Sequence, residues 1–373
     1  MANAALSTNA HADDYATAGS VAPQWLLYGA NGYTGELIAR EAVRRGQLPI
    51  LAGRSTTPIT ALAKELNCDS RVFSIEDQTA TLIALQNVQL VLNCAGPFSA
   101  TAGLLMQACL ASHVHYLDIT GEIEVFELAH SLHEKAQRAR VVLCPGVGFD
   151  VVPTDCMAAK LHEALPDATH LSLAFESRSR ASVGTAKTTI ENAGQGGRVR
   201  KDGKIVETPL GYKSRRIDFG DGARDAVTIP WGDVSTAYFT TGIPNIETYI
   251  AGQPELPSQM RQLQKLRWFL RRRLVRWFLK RAAAKRGRGP DKTERECNPT
   301  EVWGEVINAA GVKKVARLRT ANGYVLTVHA ALAIAARLLE RPTDYGYFTP
   351  AKLMGQNFVE TLPGSSAIRI ADS

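Results

Sequence analysis

A chain of 373 residues with 45% apolar and 21% charged residues has the make-up of a soluble globular protein and the length for two domains. It contains no apolar run of about 18 residues, which argues against a membrane-spanning helix. The formal charge of +7 is local. Between positions 261 and 292 thirteen Lys or Arg face one acidic residue, so the rest of the chain is net acidic and the basicity belongs to a single segment.

Residues 1–22 are small and polar, with Asp13 and Asp14 but no Lys or Arg. They read as a disordered tail that lacks the charged start and apolar centre of a secretory signal. Trp25-Leu26-Leu27-Tyr28 then reads as a buried strand, and apolar residues recur at helical spacing from Glu36 onward. Between them lies Gly29-Ala30-Asn31-Gly32-Tyr33-Thr34-Gly35. Glycines at this spacing let the backbone turn tightly, approach a pyrophosphate and aim helix-start N–H groups at it. A glycine turn between strand and helix can equally be just a tight loop. The second strand, residues 49–52, weights the choice, because it ends in Gly53-Arg54-Ser55 where a dinucleotide site meets the adenosine ribose. An acidic residue there would take a 2′-hydroxyl, whereas Arg54 offers a permanently charged fork to a 2′-phosphate. The expected cofactor is NADP(H), held by Gly29, Asn31, Gly32, Tyr33, Thr34, Gly35, Arg54 and Ser55.

Further strands read at 71–75, 88–93, 114–119 and 141–144, separated by helical patterns such as 101–112 and 122–140. This alternation predicts an α/β Rossmann domain over 23–155, with a parallel sheet and right-handed crossovers. Ligands of such sheets lie beyond the carboxyl ends of the strands. Those ends carry glycine-bearing turns at 29–35, 93–98, 118–122 and 145–150, which should converge on one edge. From about residue 169 the texture changes to alternating segments such as 171–175, with Gly-rich turns at 194–197 and 220–222. An inserted α+β domain rich in antiparallel strands is expected over 156–320, interrupted by a basic insertion at 258–292. An apolar helix near 324–339 should return with the tail, 321–373, to the first domain. The sequence has no internal repeats.

These pieces together resemble the saccharopine-dehydrogenase-like NADP-binding family, and within it the branch of trans-acting enoyl reductases. The resemblance rests on the 29–35 turn, Ala52-Gly53-Arg54, Asn93-Cys94-Ala95-Gly96-Pro97-Phe98, residues 116–122, residues 148–155, Gly323-Tyr324 and Phe348-Thr349-Pro350-Ala351. It implies a Rossmann domain with an inserted α+β domain and a pyridine-nucleotide oxidoreductase. The implied substrate is a small molecule or carrier-bound acyl group, acyl or polyketide-like. Alternatives are an amino-acid or imine oxidoreductase, or a nucleotide-binding scaffold without turnover. The Arg-rich stretch at 261–288 departs from the family pattern.

Hydride transfer needs a nicotinamide held near an electrophilic carbon and a group that moves a proton. Asn93, Ala95, Gly96, Pro97 and Phe98 end the fourth strand, where small residues permit contact with the cofactor and Phe98 either walls its ring or fills the core. Tyr116 and Asp118 share a strand face, with Glu122 just beyond. A carboxyl in a partly dry cleft is useful for proton transfer, although Glu122 could instead cap the following helix and Asp118 accept backbone hydrogen bonds. Asp150 follows the 146–148 turn directly and completes the catalytic candidates, ahead of Asp155, which reads equally as first-turn helix charge. No metal site is expected: His113 with His115, and His130 with His133, form pairs without a third ligand. The six cysteines (68, 94, 109, 144, 156 and 297) form no C-x-x-C pair and read as reduced, buried thiols of a cytoplasmic protein. Cys94 lacks a His neighbour that would make it a nucleophile.

Residues 262–285 mix Leu266, Trp268, Phe269, Leu270, Leu274, Trp277, Phe278 and Leu279 with cations. A helix there is amphipathic, suited to an anionic membrane surface at the inner face, to an acidic partner or, less well, to nucleic acid, or else packed on its own domain. A homodimer is a further expected assembly.

Overall fold

The computed structural model describes residues 24–372 apart from 178, 181, 185–189, 191–195, 253–255, 266, 267, 269–271, 285–288 and 341–343. The tail expected over 1–22 lies outside the described residues, as does part of the turn at 194–197.

The first half alternates as expected. Strands β1 Trp25–Tyr28, β2 Ile50–Gly53, β3 Ser70–Val72, β4 Leu90–Asn93, β5 His115–Asp118 and β6 Val142–Cys144 are separated by α1 Tyr33–Arg44, α2 Thr56–Leu66, α3 Gln78–Ala84, α4 Phe98–Ser112 and the pair α5 Ile123–Ser131 and α6 His133–Ala139. A seventh strand, β15 Gly346–Tyr347, arrives from the far end of the chain and pairs with β6. The resulting sheet is wholly parallel, in the order β15-β6-β5-β4-β1-β2-β3. Such a sheet is covered on both faces, so its strands are near-continuous apolar runs. In β1, Trp25 and Leu27 point into one core cluster while Leu26 and Tyr28 point into the other. Strand order reverses between β1 and β4, and the crevice beyond that switch point is where a dinucleotide lies in folds of this kind.

The second layer starts with α7 Val152–Ala164 and β7 Ala168–Ser177, followed by β8 Gly197–Lys201, β9 Lys204–Thr208, β10 Ser214–Asp218, β11 Ala223–Thr228, α8 Asp233–Thr241 and β12 Asn245–Gly252. Helices α9 Leu256–Lys265, α10 Arg273–Ala284 and α11 Lys292–Cys297 precede β13 Thr300–Asn308 and β14 Lys313–Thr320. The chain closes with α12 Gly323–Leu339, α13 Pro350–Met354, a 3-10 turn at Phe358–Thr361 and β16 Arg369–Asp372. The main path of this sheet runs β10-β11-β12-β7-β13-β14-β16, with β8 and β9 joined to the side of β12. Most pairings are antiparallel, but β12 runs parallel to β7, so the sheet is mixed.

Two features depart from the sequence expectation. The apolar helix α12 does return to the first sheet, packing on α1, β4 and β5, but the end of the chain does not stay there: β16 pairs with β14 at the edge of the second sheet. Of the cysteines, Cys109, Cys144 and Cys156 are buried and Cys68 and Cys94 partly so, whereas Cys297 is exposed on the short helix α11.

The two sheets share one core. Leu27, Leu92 and Leu117 of the first, Leu171, Leu173 and Val302 of the second, and Met157, Leu161, Leu326 and Leu332 from α7 and α12 between them form a single apolar cluster. Each fully buried Leu contributes about 1.5–3 kcal/mol, so a dry junction of this composition holds the sheets in a fixed relation. That fixity positions residues from the second layer over the edge of the first.

Candidate functional site

The turn after β1 is as tight as its glycines allow. Gly29 has a φ of +78°, donates its N–H to Ala52 O (2.8 Å), and lies so near the turn after β4 that a Cβ would sit 2.8 Å from Ala95 N. A Cβ on Gly35 would lie 2.4 Å from Gly29 O. Gly32 is exposed and stands at the N-cap of α1 without a capping side chain, and first-turn amides of a helix have no intrahelical partner. The backbone is thus cleared of side chains where N–H groups face outward, an arrangement that fits a diphosphate. At the end of β2, Arg54 is exposed and has no ion-pair partner among the described residues, while Ser55 caps the start of α2 without using its hydroxyl there. Asn31 lies against Gly53 and ties the first turn to the second strand. The residues present fit NADP(H): the α1 start for the diphosphate, Arg54 and Ser55 for a 2′-phosphate.

The turns after β4, β5 and β6 are joined through buried polar groups. Asn93 is fully buried, donates to Thr101 Oγ1 (3.1 Å) and Tyr116 OH (3.2 Å), and accepts from Ala95 N (2.9 Å). The Tyr116 hydroxyl in turn donates to Asp118 Oδ2 (2.8 Å), and Asp118 Oδ1 accepts the N–H groups of Thr120 (3.0 Å) and Gly146 (2.9 Å). Asp118 is pushed up to about 7 by burial, with a smaller push from Glu122, against the lowering effect of its hydrogen bonds. Burial and Asp118 likewise raise the Tyr116 phenol well above its ordinary value. Both side chains are inaccessible.

Glu122 does something the sequence did not suggest. Its carboxylate accepts Phe98 N (2.9 Å) and Ser99 N (2.8 Å), so it caps the start of the preceding helix α4 across the turn, and makes no cap to α5. Phe98 itself is buried in the core cluster that holds Val91, Leu105 and Tyr116, which places its ring in the core, while Gly96 is exposed and Ala95 and Pro97 partly so. Three of the four catalytic candidates, Tyr116, Asp118 and Glu122, therefore hold the turns together.

Asp150 stands apart. It is only partly exposed, its carboxyl packs on Gly121, where a Cβ would meet Oδ2 at 3.0 Å, and it has no hydrogen-bond partner for that carboxyl among the described residues. Burial, then the charge of Glu122, push it up to about 7. Its position is fixed through the backbone: Trp231 Nε1 donates to Asp150 O (2.8 Å), and Phe149 N donates to Thr327 Oγ1 (2.9 Å) of α12. Trp231 comes from the second layer and was not singled out by sequence, since a lone Trp in a Pro-Trp-Gly-Asp turn carries no motif.

The sequence also gave no hint of Asp233, which begins α8 close behind. It is fully buried, accepts Thr154 Oγ1 (2.6 Å) at Oδ1, leaves Oδ2 without a partner among the described residues, and is raised well above the usual carboxylate range by burial. Asp155 is buried as well, accepting the Thr240 hydroxyl and Ala351 N (2.8 Å) and pushed up to about 6 by burial; it sits in a structural link and does not reach the edge.

Tyr33, from the dinucleotide turn, is covered by the end of the basic insertion and by α11. Its hydroxyl donates to Pro290 O (2.6 Å) and accepts from Arg295 Nη1 (3.0 Å), and its ring meets Tyr324 edge-on at 5.0 Å. The histidine pairs resolve differently from expectation. His113 is the left-handed C-cap of α4 and shares no strand with His115, while His130 stacks on Phe239 and His133 accepts Tyr347 N. No group of three or more metal-ligating side chains occurs among the described residues. Burial raises the Cys94 thiol, as does Asp118, so it stays protonated.

Residues 25–144 match the family described as Saccharopine dehydrogenase NADP binding domain, and the first domain is of that type. Over 147 residues the chain is 32% identical to a trans-acting enoyl reductase of Mycobacterium leprae, covering 37% of this chain and 35% of that protein. A saccharopine dehydrogenase-like oxidoreductase of Mus musculus is 27% identical over 150 residues, covering 35% of each. The matched stretch thus spans about a third of the length of these relatives. The structure of saccharopine dehydrogenase (L-Glu forming) from Saccharomyces cerevisiae superposes with a TM-score of 0.64 over 94% of this chain and all of that one, at 10% identity, a likeness of fold.

Proposed function

We propose that this chain, whose first domain is a saccharopine dehydrogenase NADP-binding domain, is an NADP(H)-dependent reductase of an enoyl or polyketide-like acyl substrate. The observation that carries the reading is Asp150: a carboxyl free of partners among the described residues, held near neutrality, on the same sheet edge as the dinucleotide turn. When bound, NADPH supplies a hydride. Asp150 supplies the proton from its carboxyl, the α1 turn and Arg54 hold the dinucleotide, and the dry junction keeps water from the far side. Tyr116, Asp118 and Glu122 are positioning residues that fix the turns between which the substrate lies.

The name of the Mycobacterium leprae relative, a trans-acting enoyl reductase, supports the acyl class. The test is NADPH oxidation followed spectrophotometrically with a series of 2-enoyl thioesters, with amino-acid-derived imines as the competing class. Oxidation with the thioesters supports the reading. Turnover confined to imines transfers the chain to amino-acid chemistry, and saturable NADPH binding with no oxidation across both classes leaves a nucleotide-binding scaffold.

A further inference from the structure

The basic insertion turns its apolar stripe outward. In α10, Leu274 is 74%, Trp277 52% and Phe278 64% exposed, and Trp268 just upstream is 65% exposed. Positions 274, 277 and 278 share one helix face, the face a helix of a globular domain ordinarily buries. Here it carries three of the most exposed large apolar side chains among the described residues, and Trp268 upstream is a fourth. The preceding helix behaves differently: α9 packs against β11, and Gln264 Oε1 accepts Leu210 N.

Charge accompanies this stripe, and its own stretch of sequence holds no acidic residue. Residues 256–290 contain no Asp or Glu, while 261–288 hold twelve Lys or Arg. Two of these cations stand over exposed indoles, Arg272 above Trp268 at 5.3 Å and Arg281 above Trp277 at 5.5 Å, and Trp277 meets Phe278 edge-on at 4.7 Å. An indole with a guanidinium at its side has an apolar body for the acyl boundary and a charge for lipid phosphate at the same depth. No described helix is long and apolar enough to cross a bilayer.

We infer that α10 docks in the plane of an anionic bilayer surface, with Leu274, Trp277 and Phe278, and Trp268 upstream, entering the headgroup boundary. The charge complements anionic lipid, and the apolar stripe needs a partner that is soft and apolar just beneath its charge, which a bilayer offers over the whole helix length. Beyond residues 285–288, which lie outside the described residues, Pro290 O accepts the hydroxyl of Tyr33 from the dinucleotide turn. This inference stands whether or not the substrate is an acyl group.

The test is co-sedimentation of the full chain with phosphatidylcholine vesicles and with vesicles containing phosphatidylglycerol, alongside the Leu274→Glu/Phe278→Glu variant and an Arg272→Glu/Arg281→Glu variant. Expected is binding to the anionic vesicles only, weakened on the order of tenfold or more by either pair of changes, with NADPH affinity unchanged as the check of folding. Absence of binding by the wild type overturns the inference. So does anionic-vesicle binding that the Leu274→Glu/Phe278→Glu variant retains in full, since that reports charge without insertion. Retention on immobilised polyglutamate with no vesicle binding also overturns it and assigns the surface to an acidic protein.

Discussion

Glu122 and Phe98 are 24 positions apart in the chain, yet the carboxylate of the first accepts the backbone N–H of the second at 2.9 Å, and that of Ser99 at 2.8 Å. A negative charge at the start of α4 complements its exposed donors and its dipole. The same charge raises Asp150 and Asp118. One residue therefore ties a turn in place and adds to the burial that raises its neighbours.

Replacing Glu122 by Gln separates these effects. One of the two amides loses its acceptor, which costs about 1–3 kcal/mol of stability, read by denaturant unfolding. Removal of the negative charge lowers the Asp150 pKa, so the alkaline fall in reductase rate moves to lower pH. A pH-rate profile identical to the wild type would show that the two carboxyls do not communicate.

Asp150→Asn removes the transferable proton while keeping size and shape. The maximal rate should fall by about 10²–10⁴-fold, the range for loss of a general acid, with NADPH affinity by calorimetry nearly unchanged. In the wild type the acid form is lost as pH rises through about 7, so the rate should decline above neutrality. Loss of NADPH binding in parallel with rate would make Asp150 a binding residue instead.

At the other end of the cofactor, Arg54→Asp replaces a fork for phosphate by a like charge. Loss of a charge-assisted hydrogen bond costs about 1.5–3 kcal/mol, so NADPH affinity should drop on the order of tenfold or more while NADH is little affected. Equal losses for the two dinucleotides would remove the assignment of Arg54 to the 2′-phosphate.

Buried Asp155 makes a prediction about stability alone. Its folded pKa of about 6 lies above the ordinary 3.8, so the folded state binds the proton more tightly than the unfolded chain. Its contribution is complete below about pH 4 and is lost as pH rises through 6. In Asp155→Asn this loss is absent, so the stability of wild type relative to variant should diminish between pH 4 and 7, followed by thermal unfolding. A difference independent of pH would mean that Asp155 is ionised throughout in the fold.

The parallel sheet, the tight glycine turn after β1 and the place of Arg54 at the end of β2 were legible in the sequence because each is a local pattern: apolar runs bounded by glycine, and a charge one strand further on. The order of the strands, the mixed second sheet and the return of β15 and β16 to different sheets were not, since pairing across hundreds of residues leaves no periodic trace. The division of labour among the carboxyls belonged to the same class. Asp118, Glu122 and Asp150 are all acids at strand ends, and nothing in their local context separates one that accepts two backbone amides from one left without a partner among the described residues. Burial and the approach of Trp231 from the second layer made that distinction, because the energy of a carboxyl depends on which donors and which water surround it, and those come from distant parts of the chain. The basic stripe shows the converse: sequence revealed its amphipathy, and only the packing revealed that its apolar face is left to the outside.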